Sequence, residues 1–300
     1  MFISKLLILL IPIFSCFVNA GAWEKRRNTL EKVAVYDEFR IFYSLSGQDK
    51  LPKSRRVDIN HNNVPDFIES IGKRLRDSNR FFKYEVGLTP PLQSNRYRNR
   101  VHYIDVNVLD FSKNKKGPKN GVAYDGTPKF NRSLTGKASV NVLAMDISGG
   151  ANLNSNTVEH ELFHLYQNGY TYFKNRWYTE GTARWSELVI KGRIGKTSKL
   201  PNTKVEKEKL FKKTYDANSF WNKLIIITDK KNLGKKLIKY LLEELERVDD
   251  IAARSRGFNN KNWKESEQRS ENNNFYIWLA INNISKKLPN SMEIKSLALL

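Results

Sequence analysis

The hydrophobic pattern of the chain changes near residue 150. Before that point, apolar and polar residues alternate over residues 33–45 and 101–111, and this period of two is typical of half-buried strands. A third strand is predicted over residues 139–145. Between these strands, the apolar spacing over residues 65–84 predicts one helix.

After residue 152 the apolar period becomes 3.6, which is typical of amphipathic helices. The polar cluster at residues 154–157 supplies N-caps for a first helix that Gly169 can stop, and a second helix opens near Thr179. We therefore expect an α+β fold: a twisted sheet in an N-terminal α+β subdomain, residues 21–150, and a mainly helical subdomain, residues 151–300. Further helices are predicted over residues 206–215, 220–228, 233–248 and 274–287.

Residues 1–20 have the pattern of a secretory signal peptide, with an early lysine, an apolar run and small residues before Gly21. The run is shorter than the about 20 residues of a spanning helix, and we expect no transmembrane segment elsewhere. Cleavage after Ala20 would remove Cys16, the only cysteine, and give a secreted or periplasmic chain without disulfides. The alternative is a lipoprotein that is anchored through Cys16.

The chain is strongly basic, with 52 Lys and Arg against 31 Asp and Glu and a formal net charge of +21. Such a charge attracts anionic partners, and anionic cell-surface polymers are the ones that we expect. The positive residues are scattered along the sequence and are not gathered in one motif, which argues against a nucleic acid as the ligand.

Two of the four histidines lie in one short motif, His160-Glu161-Leu162-Phe163-His164. On a helix, His160 and His164 project from one face with their Cβ atoms about 5 to 6 Å apart, so both imidazoles can bind one zinc ion. Glu161 lies beside that face, where it can act on a zinc-bound water as general base. The motif predicts a metal-activated hydrolase; the alternative is an ordinary amphipathic helix with two exposed histidines.

A catalytic zinc needs a third protein ligand and one open position. Glu180 is the predicted ligand, because the residues after His164 are enough for a turn and a return helix, which Thr179 would cap. Gly181 leaves room for close helix packing. Glu187, two turns further on the same face, is expected to accept a hydrogen bond from a ligand histidine. The alternative is that Glu187 is the ligand.

Residues 58–69 match a twelve-residue calcium-binding loop. Asn63 stands where glycine is expected, and asparagine tolerates the positive φ of that turn. The alternative is an Asn-rich turn that caps the following helix. The predicted calcium ligands are Asp58, Asn60, Asn62, the Val64 carbonyl, Asp66 and Glu69.

The His-Glu-x-x-His motif followed by Glu180-Gly181-Thr182-Ala183 resembles the signature of the gluzincin class of zinc metallopeptidases. The order of motifs over about residues 36–190 is also similar to that of a family of secreted bacterial metalloproteases with an N-terminal calcium-type loop. The resemblance implies a zincin-like fold in which His160, His164 and Glu180 bind zinc and Glu161 is the general base. It also implies that the strand before the active-site helix, residues 139–145, is the sheet edge that binds substrate.

The acid that stabilises the oxyanion in gluzincins, usually a tyrosine or a histidine, has no matching motif in this sequence. The candidates are His102, Tyr166, Tyr178 and Tyr276, and we choose Tyr276.

Together, these features predict a secreted zinc-dependent endopeptidase that hydrolyses peptide bonds in a protein or peptide substrate. The helical subdomain would then be the catalytic one. Two alternatives remain open: a catalytically weak zincin-fold binding protein of the cell surface, and a zinc hydrolase of non-peptide amides.

Overall fold

A computed structural model describes residues 25–112, 119–130, 140–152, 154–257 and 263–288. Within these ranges the chain is a mixed α+β protein, with a five-stranded sheet in its first half and helices in its second. The predicted signal peptide and Cys16 lie outside the described residues. The strands are β1 (Lys32–Tyr36), β2 (Phe39–Tyr43), β3 (Tyr103–Leu109), β4 (Gly121–Ala123) and β5 (Val142–Ser148).

The sheet has the strand order β1-β2-β3-β5-β4. The outer pairs β1–β2 and β5–β4 are antiparallel, and the inner pairs β2–β3 and β3–β5 are parallel. Every residue of β5 is buried, as expected for a strand that is covered on both faces. The polar residues of these inner strands are paired: Asp146 of β5 forms a buried ion pair with Arg27, 2.6 Å long.

The expectation that the strand over residues 139–145 is a sheet edge is wrong. The observed strand β5 begins at Val142 and pairs with β3 on one side and with β4 on the other. The edge is β4, which the sequence pattern did not reveal because three residues are too few to show a period of two.

Most helices lie near their predicted positions. The exceptions are the short helix Glu265–Gln268, which no pattern predicted, and the helix from Lys235, which continues to Ser255 and not to residue 248. The first helix of the chain continues beyond Arg80 as a wider turn over Phe81–Val86, and Gly87 ends it at a φ of 77°. None of the helices in the described ranges is long and apolar enough to cross a membrane. They are α1 (Asp66–Arg80), α2 (Thr157–Tyr170), α3 (Arg176–Val189), α4 (Lys204–Phe211), α5 (Asn218–Thr228), α6 (Lys235–Ser255), α7 (Glu265–Gln268) and α8 (Asn273–Ser285).

Two predicted helix ends are wrong. Helix α2 continues through Gly169 to Tyr170, and the missing side chain of Gly169 lets the helix approach Ser94, whose Cβ would lie 3.1 Å from an added Cβ. Helix α3 begins three residues before Thr179, so its N-cap is Asn175 and Glu180 lies in its second turn. Tertiary packing of Trp177 and Tyr178, both fully buried, extends α3 toward its N-terminus.

Helix α2 contacts both the sheet and the other helices. It packs against β4 and β5 and against α1, α3 and α6. One hydrophobic cluster includes residues of both halves of the chain, from Ile41 of β2 to Ile281 of α8. The division into subdomains at residue 150 stays a prediction.

Candidate metal centre

Three predicted ligands from two helices converge on one point. His160 and His164 lie one turn apart on α2, and Glu180 lies on the neighbouring helix α3. The two histidine Nε2 atoms are 3.1 Å apart, and Glu180 Oε2 is 3.2 Å from His160 Nε2 and 3.6 Å from His164 Nε2. In the part of the chain that the structure describes, these three residues form the group of donors that could hold a metal ion.

The spacing of these donor atoms fits zinc. Two ligand atoms that lie about 2.1 Å from one zinc ion at the tetrahedral angle are about 3.4 Å apart. The three observed separations scatter around that value. Two imidazole nitrogens and one carboxylate oxygen are also donors that zinc accepts readily.

Hydrogen bonds behind the two imidazoles fix which nitrogen faces the centre. His160 Nδ1 lies 2.8 Å from Glu187 Oε1, the contact that the sequence predicted for Glu187. His164 Nδ1 lies 2.6 Å from Gln167 Oε1. The Gln167 amide is itself held, because its Nε2 donates to Thr179 O and to Thr182 Oγ1. Both Nδ1 atoms therefore carry the proton in the neutral imidazoles and leave Nε2 as the free donor atom.

Gln167 is not among the site residues that the sequence predicted. A signal for it was available, because a residue three positions after His164 lies on the same helix face.

The charges of the centre are strongly coupled. Burial alone would lower the pKa of His160, but hydrogen bonds with Glu180 and Glu187 outweigh it and raise that pKa to about 9. Burial alone would raise the pKa of Glu180, but hydrogen bonds with His160 and His164 outweigh it and hold the pKa well below its usual range. Without a metal, the centre is therefore a carboxylate paired with a protonated imidazole.

Glu161 is held at the edge of the sheet beside the two histidines. Its carboxylate accepts a hydrogen bond from the backbone N–H of Ala123 in β4. Burial raises its pKa, and the nearby His164 and His160 offset part of that rise. The contact with β4 is close, because a Cβ atom added at Gly121 would lie only 2.7 Å from both Glu161 Cγ and Thr157 Cγ2.

Tyr215, which the sequence analysis missed, completes the centre. Its ring centroid lies 5.9 Å from that of His160, and its hydroxyl group hydrogen-bonds with Glu180. Burial, followed by the negative charge of Glu180, raises the pKa of Tyr215, so the phenol keeps its proton. Tyr215 belongs to a single turn, Tyr215–Ala217, whose place beside α3 depends on the tertiary fold, so the sequence carried no local signal for it.

The four residues considered for oxyanion stabilisation are not brought to the described centre. The hydroxyl of Tyr276 lies 2.8 Å from Ser255 Oγ, and its ring stacks on Phe173 at 6.2 Å. Tyr166 donates to Asn79 Oδ1 in the core. The other two are also elsewhere: Tyr178 is fully buried and His102 is exposed beside β3.

An open cavity of about 660 Å³ lies over the centre. Its lining includes His160, Glu161 and Tyr215, and also Gly121 of the edge strand. Two cationic side chains, Lys119 and Arg184, line it as well. A molecule in this cavity therefore contacts His160, Glu161 and the sheet edge together.

The packing of α3 against α5 supports the position of Glu180. A Cβ atom at Gly181 would lie 2.7 Å from Trp221 Cδ1, so only glycine permits this approach. Trp221 in turn donates from Nε1 to the carbonyl oxygen of Trp177, 2.9 Å away. The close helix packing that the sequence predicted at Gly181 is thus the contact between α3 and α5.

The loop at residues 58–69 is closed by its own side chains. The Asp58 carboxylate accepts hydrogen bonds from the backbone N–H groups of Asn62 and Asn63, and Asn63 has the positive φ expected at its position, 69°. The Glu69 carboxylate accepts hydrogen bonds from the side-chain amides of Asn60 and Asn62. The two remaining predicted ligands also belong to this network: Asp66 accepts from Ile59 N–H, and Val64 N–H donates to Asn62.

No protein-family model matches this chain, and no curated protein matches it.

We expect the affinity for zinc to rise with pH up to about pH 9. The pKa of His160 in the metal-free protein is about 9, so below that value a proton must leave when zinc binds. Each pH unit lower then costs up to about tenfold in affinity. Competition with a chromophoric chelator between about pH 6 and about pH 9 measures this slope.

The control for this experiment is Glu187→Gln. An amide stabilises a protonated imidazole less than a carboxylate does, so the pKa of His160 should be lower in the variant. The zinc affinity of the variant should therefore reach its maximum at a lower pH than that of the wild type. An affinity that is independent of pH over the whole range would contradict the proton competition.

Proposed function

We propose that this protein is a zinc-dependent endopeptidase with a zincin-like fold, of the gluzincin class that its motifs resemble. The observation that supports the proposal most directly is the convergence of His160, His164 and Glu180, with Glu161 lining the same cavity as His160. A secreted or periplasmic location is part of the proposal and is supported by the signal-like sequence of residues 1–20.

His160, His164 and Glu180 would hold the zinc ion. When bound, zinc lowers the pKa of a coordinated water toward 7 and polarises a peptide carbonyl. Glu161 takes the proton of the attacking water as the new carbon–oxygen bond forms, and it delivers the proton to the nitrogen as the carbon–nitrogen bond breaks. A raised pKa suits this exchange, because it makes the carboxylate a stronger base for the proton of the water.

Tyr215 is our candidate for stabilising the oxyanion. Its phenol keeps its proton and lines the same cavity as Glu161. Tyr215 would therefore act as a hydrogen-bond donor, whereas Glu161 acts as the base. In the metal-free protein this hydroxyl is hydrogen-bonded with Glu180. Turned toward a carbonyl oxygen in the cavity, it would stabilise the negative charge that develops there. This assignment replaces Tyr276, which does not line this cavity and whose hydroxyl lies 2.8 Å from Ser255 Oγ.

The edge strand β4 offers a template for a peptide backbone. Tyr124 N–H and Asn120 O bond to β5, so the backbone groups of the alternating residues Gly121 and Ala123 point away from β5. The Ala123 N–H faces Glu161, and Gly121 lines the cavity. An extended substrate can therefore add to this edge with its carbonyl groups beside Glu161.

The central experiment compares zinc content and the cleavage of an unfolded protein by the mature chain and its Glu161→Gln variant. We expect both to bind zinc, and the variant to lose at least about 100-fold in kcat. Tyr215→Phe should lose about tenfold to 100-fold with unchanged zinc content, while the control Tyr276→Phe keeps full activity. If wild type and Glu161→Gln are equally inactive while both hold zinc, the protein is a binding module and not an enzyme.

We expect Gly121→Ala to lower activity without loss of zinc. The added methyl group would meet Glu161 Cγ and Thr157 Cγ2 at 2.7 Å, so Glu161 must move, and misplacement of a catalytic group by about 1 Å costs on the order of 100-fold. Gly126→Ala is the matched control, because a Cβ atom there meets nothing within 4 Å. Equal activities of the two alanine variants would contradict the placement of Glu161.

We also propose that residues 58–69 bind calcium. The support is the fit to the spacing of a calcium loop, the positive φ of Asn63 and the hydrogen bonds that draw Asn60 and Asn62 to Glu69. Side-chain and main-chain oxygens are the donors that calcium prefers. In a mature chain without disulfides, the ion would tie the loop to the first turn of α1.

Calcium should raise the thermal midpoint of the zinc-saturated wild-type protein by roughly 5 °C at about 100 times its Kd. Glu69→Gln should abolish this increment, since the residue at the last position of such loops supplies two oxygens. The control is Asp77→Asn, which removes a half-exposed charge from the same helix. A calcium increment that survives in Glu69→Gln would exclude this loop as the site.

A further inference from the structure

A groove with mainly basic walls runs beside the metal centre along α4. It consists of two adjoining cavities of about 550 and 670 Å³ that share Glu208, Phe211, Glu271 and Asn274. Eight of its lining side chains are lysine or arginine, whereas Glu208 and Glu271 are its two acids. We call this depression the basic groove.

The basic groove begins at the metal centre. Arg176 lines it, and the Arg176 Nη2 atom lies 3.5 Å from Oε1 of Glu180. The guanidinium carbon of Arg176 is also 5.7 Å from the ring centroid of Tyr215. Thr214, the residue before Tyr215, lines the groove as well. Arg176 therefore marks the end of the groove that lies next to the centre.

A second arginine stands on the other side of Glu180. Arg176 and Arg184 lie four residues before and four residues after it, so all three share one face of α3. Arg184 lines the cavity over the centre, and its side chain is half exposed while Nη1 lies 3.1 Å from Glu187 Oε2. Both directions away from the centre thus begin with an accessible guanidinium group.

Some of the basic residues in the groove are already neutralised. Lys174, for example, forms ion pairs with Asp125 and Glu265. Lys204 and Lys212 are exposed and make no ion pair within the described ranges. Both lysines are therefore placed to contact an anionic ligand in the groove.

We propose that the substrates of the metal centre are acidic polypeptides, with Asp or Glu residues near the scissile bond that contact Arg176 and the lysines of the basic groove. This inference rests on the proposed peptidase function. A polypeptide is favoured over a nucleic acid for two reasons. The β4 edge can hydrogen-bond to a peptide backbone, and Glu208 and Glu271 interrupt the positive wall that a continuous phosphate backbone would need.

The test uses internally quenched peptides that differ only in the residues flanking the cleaved bond, which are all Glu, all Gln or all Lys. The zinc-loaded mature chain should cleave the Glu peptide with a kcat/KM about tenfold above that of the Gln peptide, and the Lys peptide should be the poorest. The advantage should disappear near 1 M salt, where screening acts within about 3 Å.

Charge reversal in the groove provides the matched comparison. Lys204→Glu with Lys212→Glu should lower kcat/KM for the Glu peptide about tenfold and leave the Gln peptide within about twofold. The control, Lys230→Glu with Lys231→Glu, makes the same change of net charge in the exposed turn between α5 and α6 and should leave both peptides unchanged. Cleavage of the Gln peptide also reports that each variant is folded.

Equal kcat/KM values for the three peptides, or equal effects of the two double variants, would overturn the acidic-substrate inference while leaving the peptidase intact. If the peptidase proposal fails, by contrast, no peptide of any charge is cleaved. In that case, fluorescence anisotropy measures the binding of the same three peptides to the Glu161→Gln protein, and tighter binding of the Glu peptide would support the inference. Tighter binding of a single-stranded oligonucleotide of matched charge, lost on groove reversal, would assign the groove to nucleic acid.

Discussion

The site depends on one electrostatic constraint: two imidazole nitrogens and one carboxylate oxygen meet in a largely buried site. The Nε2 atoms of His160 and His164 are 3.1 Å apart, and both imidazoles already use Nδ1 for contacts with Glu187 and Gln167. Two acceptor nitrogens at this distance are stable only when a proton or a cation lies between them. In the metal-free protein a proton fills this role, in agreement with the raised pKa of His160. A bound metal ion would fill it instead of the proton.

Much of the surrounding fold keeps these donors in place. Arg74 of α1 pairs with Glu159 at the start of α2, next to the first histidine. On the sheet side, the buried pair of Arg27 and Asp146 lies beside the edge strand, where Tyr124 donates its hydroxyl hydrogen to the same Asp146 carboxylate. Removing one partner of such a buried pair leaves an uncompensated charge. The position of β4 beside Glu161 is therefore tied to the N-terminal segment.

The sequence was informative wherever a local period or a short motif carries the structure. The hairpin of β1 and β2, helix α1 and the spacing from His160 to Glu187 follow from apolar periodicity and from helix geometry. The edge strand β4 and the turn at Tyr215 could not be predicted in this way. Each has only three residues and is positioned by partners that are distant in sequence. Tyr276 was chosen by residue type alone, and its side chain instead packs against Phe173.

Glu180 links the metal centre to its surroundings. In the metal-free protein its carboxylate is shared by the two histidines, by the hydroxyl of Tyr215 and by Arg176 at 3.5 Å. A cation bound between the histidines would take Oε2, the oxygen that already faces them, and would leave Oε1 to Arg176. The position of Glu180 that suits a metal ion therefore also holds Arg176 beside the centre. Under the proposed function, this one carboxylate would both bind the zinc ion and position the first cation of the basic groove.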